Sequence, residues 1–159
     1  MINIKFPEEF HPSKSVVHAR NELFIPASPE SIWFWLTNAV TWPEWYPNSS
    51  NVVLIDQEEG EQLKKYSKFK WKTFGTNIIS EVNEFVPNAK LAWVAKGRGL
   101  VAYHTWLIVA QDQGCQVITE ETQRGWLPSL FSWFIKKGLL KQHQIWLEGL
   151  KMKAISHEK

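Results

Sequence analysis

Five histidines, at positions 11, 18, 104, 143 and 157, and a single cysteine, Cys115, offer the chain its most adaptable chemistry. No pair of the histidines has ligand spacing with a carboxylate close by in sequence, so the spacing argues against a metal centre and assigns no cofactor. The chain contains no GxSxG elbow, Walker loop, GxGxxG turn or HExxH pair. Gly97-Arg98-Gly99 is too short to cradle a phosphate and reads as a hairpin. Ser67, Ser80 and Ser129 have no base adjacent in sequence. Cys115 reads as a small hydrophobe at a hairpin edge, and a lone cysteine excludes an internal disulfide.

His104 and Glu121 stand apart from this scatter. They sit in two extended runs flanking Gln111-Asp112-Gln113-Gly114, which reads as a four-residue hairpin loop. If Ala110 pairs with Cys115, the numbers of paired residues sum to 225. Ile108 then opposes Val117, Trp106 opposes Thr119, and His104 opposes Glu121. Directly opposed residues share a face, and Ile108 with Val117 reads as core, so His104 and Glu121 are expected to point inward. A buried carboxylate is rarely unpaired. The pair is therefore a polar anchor or an acid/base couple at one end of a cavity, or else a structural ion pair at the sheet rim. Thr119 and Gln123 lie beside it as further polar candidates.

The second unusual feature is aromatic: ten Trp, nine Phe and three Tyr in 159 residues. Trp33, Phe69, Trp71, Trp93, Trp106, Trp133 and Phe134 are the candidate walls of a pocket for a flat or lipidic ligand. Trp146 belongs to the same group. The alternative is a packed aromatic core with no void.

These residues need elements to hold them. Residues 1–14 read as an N-terminal arm, and 15–157 as one domain. Ser15–Ile25 favours extension. Ser28-Pro29-Glu30-Ser31 opens a helix that runs to about Thr37, with Ser28 as cap. Trp42-Pro43-Glu44-Trp45-Tyr46-Pro47 allows at most a one-turn helix. The period then switches to two: Phe69 and Trp71 face one way, Lys68, Lys70 and Lys72 the other. Six strands follow in meander, at about 51–55, 67–73, 77–85, 90–95, 100–110 and 115–124. From 129 to 155 apolar residues recur at three and four, which predicts one long amphipathic helix bent near Gly138. The expectation is an α+β layer pair: a curved seven-stranded antiparallel sheet around a long C-terminal helix, with two short helices after the first strand.

In combination these residues resemble the helix-grip fold of the START superfamily, also called SRPBCC, and within it the polyketide cyclase/dehydrase and lipid-transport branch. The resemblance rests on Ile25-Pro26-Ala27-Ser28-Pro29-Glu30-Ser31-Ile32-Trp33, on Leu36-Thr37, and on the Trp42–Pro47 turn. It continues through Val86-Pro87, Leu91-Ala92-Trp93, the Gly114 hairpin, Glu121, Gly125 and Leu147-Glu148-Gly149-Leu150-Lys151. It covers about residues 15–155. It implies a ligand carrier or sensor that holds a hydrophobic small molecule between sheet and helix, with His104 and Glu121 at the polar end. The alternative is a cyclase/dehydrase-type enzyme moving a proton to His104 or Glu121.

Charge narrows the partners. Eighteen basic and sixteen acidic residues leave a formal net of +2, weaker than a dedicated nucleic-acid binder shows. Trp126–Lys159 carries six Lys and two Glu beside Trp126, Leu127, Phe131, Trp133 and Trp146. That helix either presents a solvated lysine face or makes weak peripheral contact with an anionic membrane or a ribonucleoprotein. The N-terminal residues lack a signal peptide's apolar run, and no stretch is long enough to span a bilayer, so a soluble cytoplasmic protein is expected. The sequence leaves the oligomeric state open.

Overall fold

The computed structural model describes residues 4–55 and 62–157. Seven antiparallel strands form one sheet: β1 (Val17–Ile25), β2 (Ser49–Ile55), β3 (Lys68–Thr73), β4 (Thr76–Val86), β5 (Lys90–Gly97), β6 (Leu100–Gln111) and β7 (Gly114–Arg124). Their order is β1-β7-β6-β5-β4-β3-β2. The meander from β2 to β7 keeps sequence neighbours adjacent, and β1 joins the far edge beside β7. Between β1 and β2 lie α1 (Pro29–Thr37) and α2 (Trp42–Trp45), and the chain ends in α3 (Trp126–His157). This is the helix-grip architecture expected from the sequence.

Local chemistry accounts for the elements. In β3, Phe69 and Trp71 are buried and the three lysines are exposed, as a half-buried strand requires. Ser28 Oγ accepts the Ser31 amide at 3.2 Å, Pro29 occupies the first turn, and α1 then buries Ile32, Trp33 and Leu36. The buried stripe of α3 is Leu139, His143, Trp146, Leu147, Leu150 and Ala154, spaced at three and four. At Gly149 the helix lies so close to α2 that a Cβ would stand 2.6 Å from the Trp45 carbonyl oxygen.

The structure departs from expectation in three places. The hairpin is tighter: Gln111 pairs with Gly114, leaving Asp112-Gln113 as the turn, with Gln113 at φ 65°. The expected register survives, because His104 still opposes Glu121. The change of direction in α3 falls at Phe131 (φ −125°, ψ 25°), not at Gly138. The first turn of α3 is tied to the β5–β6 hairpin, since the Leu127 amide donates to the Gly99 carbonyl at 3.1 Å, while the remainder follows the sheet. Gly99 (φ +76°) fits flat beneath the Trp126 indole, where a Cβ would meet the ring at 2.4 Å.

The N-terminal residues are also packed down. Single 3-10 turns span Glu8–Phe10 and Pro12–Lys14. Phe10 is buried and stacked on Tyr103, with centroids 5.2 Å apart and the Arg124 guanidinium over its other side. Thr122 Oγ1 donates to the Phe10 carbonyl at 3.0 Å. Tyr103 and Thr122 alternate with His104 and Glu121, so this arm covers the outer face of β6 and β7 while the inner face looks toward α3.

Candidate functional site

Between the inner face of the sheet and α3 lies a cavity of about 330 Å³. Its walls are apolar: Trp71, Ile78, Trp93, Ala95, Ala102, Leu139 and Trp146. Near its entrance stand Phe74, Leu127 and Phe134. Phe134 is 69% exposed, and Trp126, Leu130, Phe131 and Trp133 around it on α3 are exposed as well.

The polar end is made by three residues from three elements: His104 on β6, Glu121 on β7 and His143 on α3. Glu121 Oε2 lies 3.2 Å from His104 Nδ1 and 3.3 Å from His143 Nε2. Its other oxygen, Oε1, accepts from Gln123 Nε2 at 2.6 Å. His104 Nε2 is 2.7 Å from Thr119 Oγ1. The His104 and His143 rings face each other with centroids 4.8 Å apart. Tyr46 lines the same end, stacked on Trp146 at 4.3 Å and taking a hydrogen bond from Asn48 Nδ2.

Electrostatics follow from this packing. Burial pushes the His104 imidazole far below its ordinary 6.5, and the nearby Glu121 charge recovers only part of that. Burial works to raise the Glu121 carboxyl. The hydrogen bond from His143, the two histidine charges and the Gln123 amide outweigh it and hold the carboxyl below its usual range. With its imidazole held so low, His104 is neutral at pH 7 and lends the carboxylate no charge there. Burial decides for His104, which is 3% exposed behind aromatic rings. The carboxylate then keeps its charge through the hydrogen bonds from His143 and Gln123. Burial also drives the Tyr46 phenol up, so it stays protonated as a donor.

The expected site residues divide into two groups. Trp71, Trp93, His104, Glu121, Gln123 and Phe134 all line the cavity. Thr119 is buried behind His104 and touches the cavity only through that ring. Trp106 stacks on the far side of His104, with centroids 5.5 Å apart. Phe69 is sealed in the core against Trp42, Trp71 and Trp93. Trp33 packs on Phe85 away from the site, and Trp133 is 64% exposed beneath Lys137. The aromatic residues thus divide into a packed cluster around Trp42 and a set that borders open space. His143 and Tyr46 were not singled out by the sequence. His143 lies on the stripe of Leu139, Trp146 and Leu150, and that spacing is the one signal that could have found it. Spacing along the chain does not reveal the cluster that the fold assembles. His104, Glu121 and His143 are far apart or on different elements along the chain, yet they converge on one point.

A model of the polyketide cyclase/dehydrase and lipid transport family matches residues 16–154. No curated protein sequence matches the chain. Among solved structures, a hypothetical protein from Helicobacter pylori is similar over 97% of both chains, with 28% identity and a TM-score of 0.88. A START superfamily protein from Mycobacterium smegmatis shares the fold at 14% identity over 87% of this chain and 97% of its own, with a TM-score of 0.70. The Zhui aromatase/cyclase from a Streptomyces species does so at 11% identity over 89% of this chain and 95% of its own, with a TM-score of 0.73. With the match spanning the sheet, the cavity and α3, the chain belongs to the polyketide cyclase/dehydrase and lipid transport family.

Proposed function

We propose that the protein binds a hydrophobic small molecule, of lipid or polyketide type, as a carrier or sensor. The observation that supports this most directly is the shape of the cavity: rings and aliphatic side chains on the walls, with Glu121, His104 and His143 gathered at one end. Such a site buries an apolar body by desolvation and ring contact, and orients it by one oxygen-bearing group at the polar end. The rings of Trp93 and Trp146 border the cavity, while their indole N–H groups are buried away from it without a protein hydrogen-bond partner. The exposed rings at the start of α3, with Lys136, Lys137 and Lys141 along the same helix, suit a ligand collected at an anionic membrane surface.

The test is native mass spectrometry of freshly purified protein, combined with titration of an apolar fluorescent probe. A co-purified apolar mass and saturable probe binding are expected. Ala102→Leu fills the cavity from the sheet side and should abolish probe binding while the protein stays folded. Unchanged probe binding in that variant would end the cavity reading.

A second reading is favoured by one observation, the carboxylate of Glu121 flanked by two imidazoles at the end of an apolar chamber. That trio has the parts to take a proton from a carbon next to a ligand carbonyl and return it elsewhere, the chemistry of a cyclase or dehydrase. Turnover of a polyketide-like carbonyl substrate, lost in Glu121→Gln with binding retained, would replace the carrier reading.

A further inference from the structure

The closed end of the cavity has the composition of a metal site as well as of a hydrogen-bonded trio. Two imidazole nitrogens and a carboxylate oxygen are the donor set that zinc and similar divalent ions take in open, reactive centres. His104, Glu121 and His143 each bring one ligand atom to within 4.8 Å of the others, and all three residues are buried. The outer atoms of two of them are already engaged. His104 Nε2 is held by Thr119 Oγ1 at 2.7 Å, and Glu121 Oε1 by Gln123 Nε2 at 2.6 Å. This is the arrangement in which a second ring of hydrogen bonds fixes tautomer and orientation and turns the inner atoms toward an ion.

Charge points the same way. Among the described residues, the ion-pair partners of Glu121 are the two histidines alone; no Lys or Arg reaches it. A buried carboxylate without a full cationic partner is costly. If Thr119 takes the proton of His104 Nε2, then Nδ1 turns a lone pair toward Oε2 at 3.2 Å, and only a proton or a cation between them makes that contact favourable.

We propose that His104 Nδ1, Glu121 Oε2 and His143 Nε2 bind a divalent first-row metal ion, with zinc as the best match, and that its remaining coordination positions open into the cavity. Metal–donor bonds of about 2.0–2.2 Å set tetrahedral donors about 3.4 Å apart. Two of the three donor pairs stand at 3.2 and 3.3 Å, and the two rings close the third as they settle on the ion. Such an ion takes an oxygen of a cavity ligand, or a water, directly as its next donor. The site is independent of which apolar molecule the cavity holds.

The test starts from chelator-treated full-length protein, titrated with zinc against a chromophoric competitor and, separately, with cobalt(II). One zinc per chain is expected, and cobalt should give the strong visible bands of four- or five-coordination. His143→Ala and Glu121→Gln should each weaken zinc by more than about 100-fold, and Thr119→Val by about 10- to 100-fold, while His11→Ala leaves it unchanged. Circular dichroism of each variant checks the fold. If a variant fails to fold, the wild-type cobalt spectrum still decides: only the weak bands of a six-coordinate surface ion would overturn the proposal. Less than one zinc per chain, or binding that survives His143→Ala and is lost in His11→Ala, would overturn it equally.

Discussion

Glu121 Oε2 on β7 stands 3.3 Å from His143 Nε2 on α3, and this contact joins sheet to helix across the closed end of the cavity. The same oxygen faces His104 on the neighbouring strand, so one carboxylate is shared by three elements. Glu121→Gln keeps the shape and one acceptor for His143 but removes the charge. A probe carrying a hydroxyl or carbonyl should lose roughly 1–3 kcal/mol of binding, while a pure hydrocarbon probe of similar size binds as before. Parallel calorimetric titrations with the two probes check this. A large fall in melting temperature with both affinities intact would make the trio structural.

Trp71 and Trp106 separate wall from core. Trp71 borders the cavity, its indole N–H donating to Ser80 Oγ at 3.1 Å, whereas Trp106 is wholly buried between His104 and Trp146. Trp71→Ala should change probe affinity several-fold. Trp106→Ala should instead cost about 3–5 kcal/mol of stability. Denaturant melts beside probe titrations for both variants distinguish the two roles.

Gly149 is a close-approach glycine on a helix face. Alanine there would gain about 1 kcal/mol in helix propensity. Its Cβ would also sit 2.6 Å from the Trp45 carbonyl oxygen, a backbone atom that cannot swing away. Overpacking of this kind costs about 1–3 kcal/mol, so Gly149→Ala should lower stability despite the better propensity. A rise in melting temperature would show that α2 yields to the helix.

Glu120 supplies an acid-sensitive part of the stability. Burial works to raise its carboxyl, but His18 Nε2 at 2.5 Å and Arg20 Nη1 at 2.9 Å outweigh this and hold it below its ordinary 4.5. A carboxyl held low in the folded state contributes fully above the unfolded value. That contribution disappears as pH falls through the folded value. Wild type should therefore lead Glu120→Gln in melting temperature at pH 7 and converge on it below about pH 4.5. Curves that stay parallel down to pH 3 would assign the loss to packing instead.

The exposed apolar side chains of Trp126, Leu130, Phe131, Trp133 and Phe134 make α3 the candidate membrane contact. Co-sedimentation should show binding to vesicles rich in phosphatidylglycerol, weaker binding to phosphatidylcholine, and a loss with added salt. Trp133→Ala with Phe134→Ala should remove most of it. Equal partition onto neutral and anionic vesicles would exclude the lysines from the contact.

The sequence by itself determined the strands, their order and one pairing. Alternation in Lys68–Thr73 is visible in six letters because strand side chains repeat every second residue. The turn centred on Asp112-Gln113, inside the expected 111–114 loop, sets the register of β6 on β7, so the meeting of His104 with Glu121 was legible in the sequence. The stop and start signals at Pro26, Ser28 and Pro29 were equally local. What the sequence could not contain was the distance between layers. Trp71, Trp93 and Trp106 look alike as letters, and only the packing of the layers leaves open space beside the first two and none beside the third. His143 shows the same limit from the helix side. Its spacing is compatible with the buried stripe, but what it meets depends on how a separate element docks, and docking brings its ring to a carboxylate twenty-two positions away. Periodicity tells which face is inward; only tertiary packing decides which inward groups touch, and the chemistry of this cavity depends on that contact.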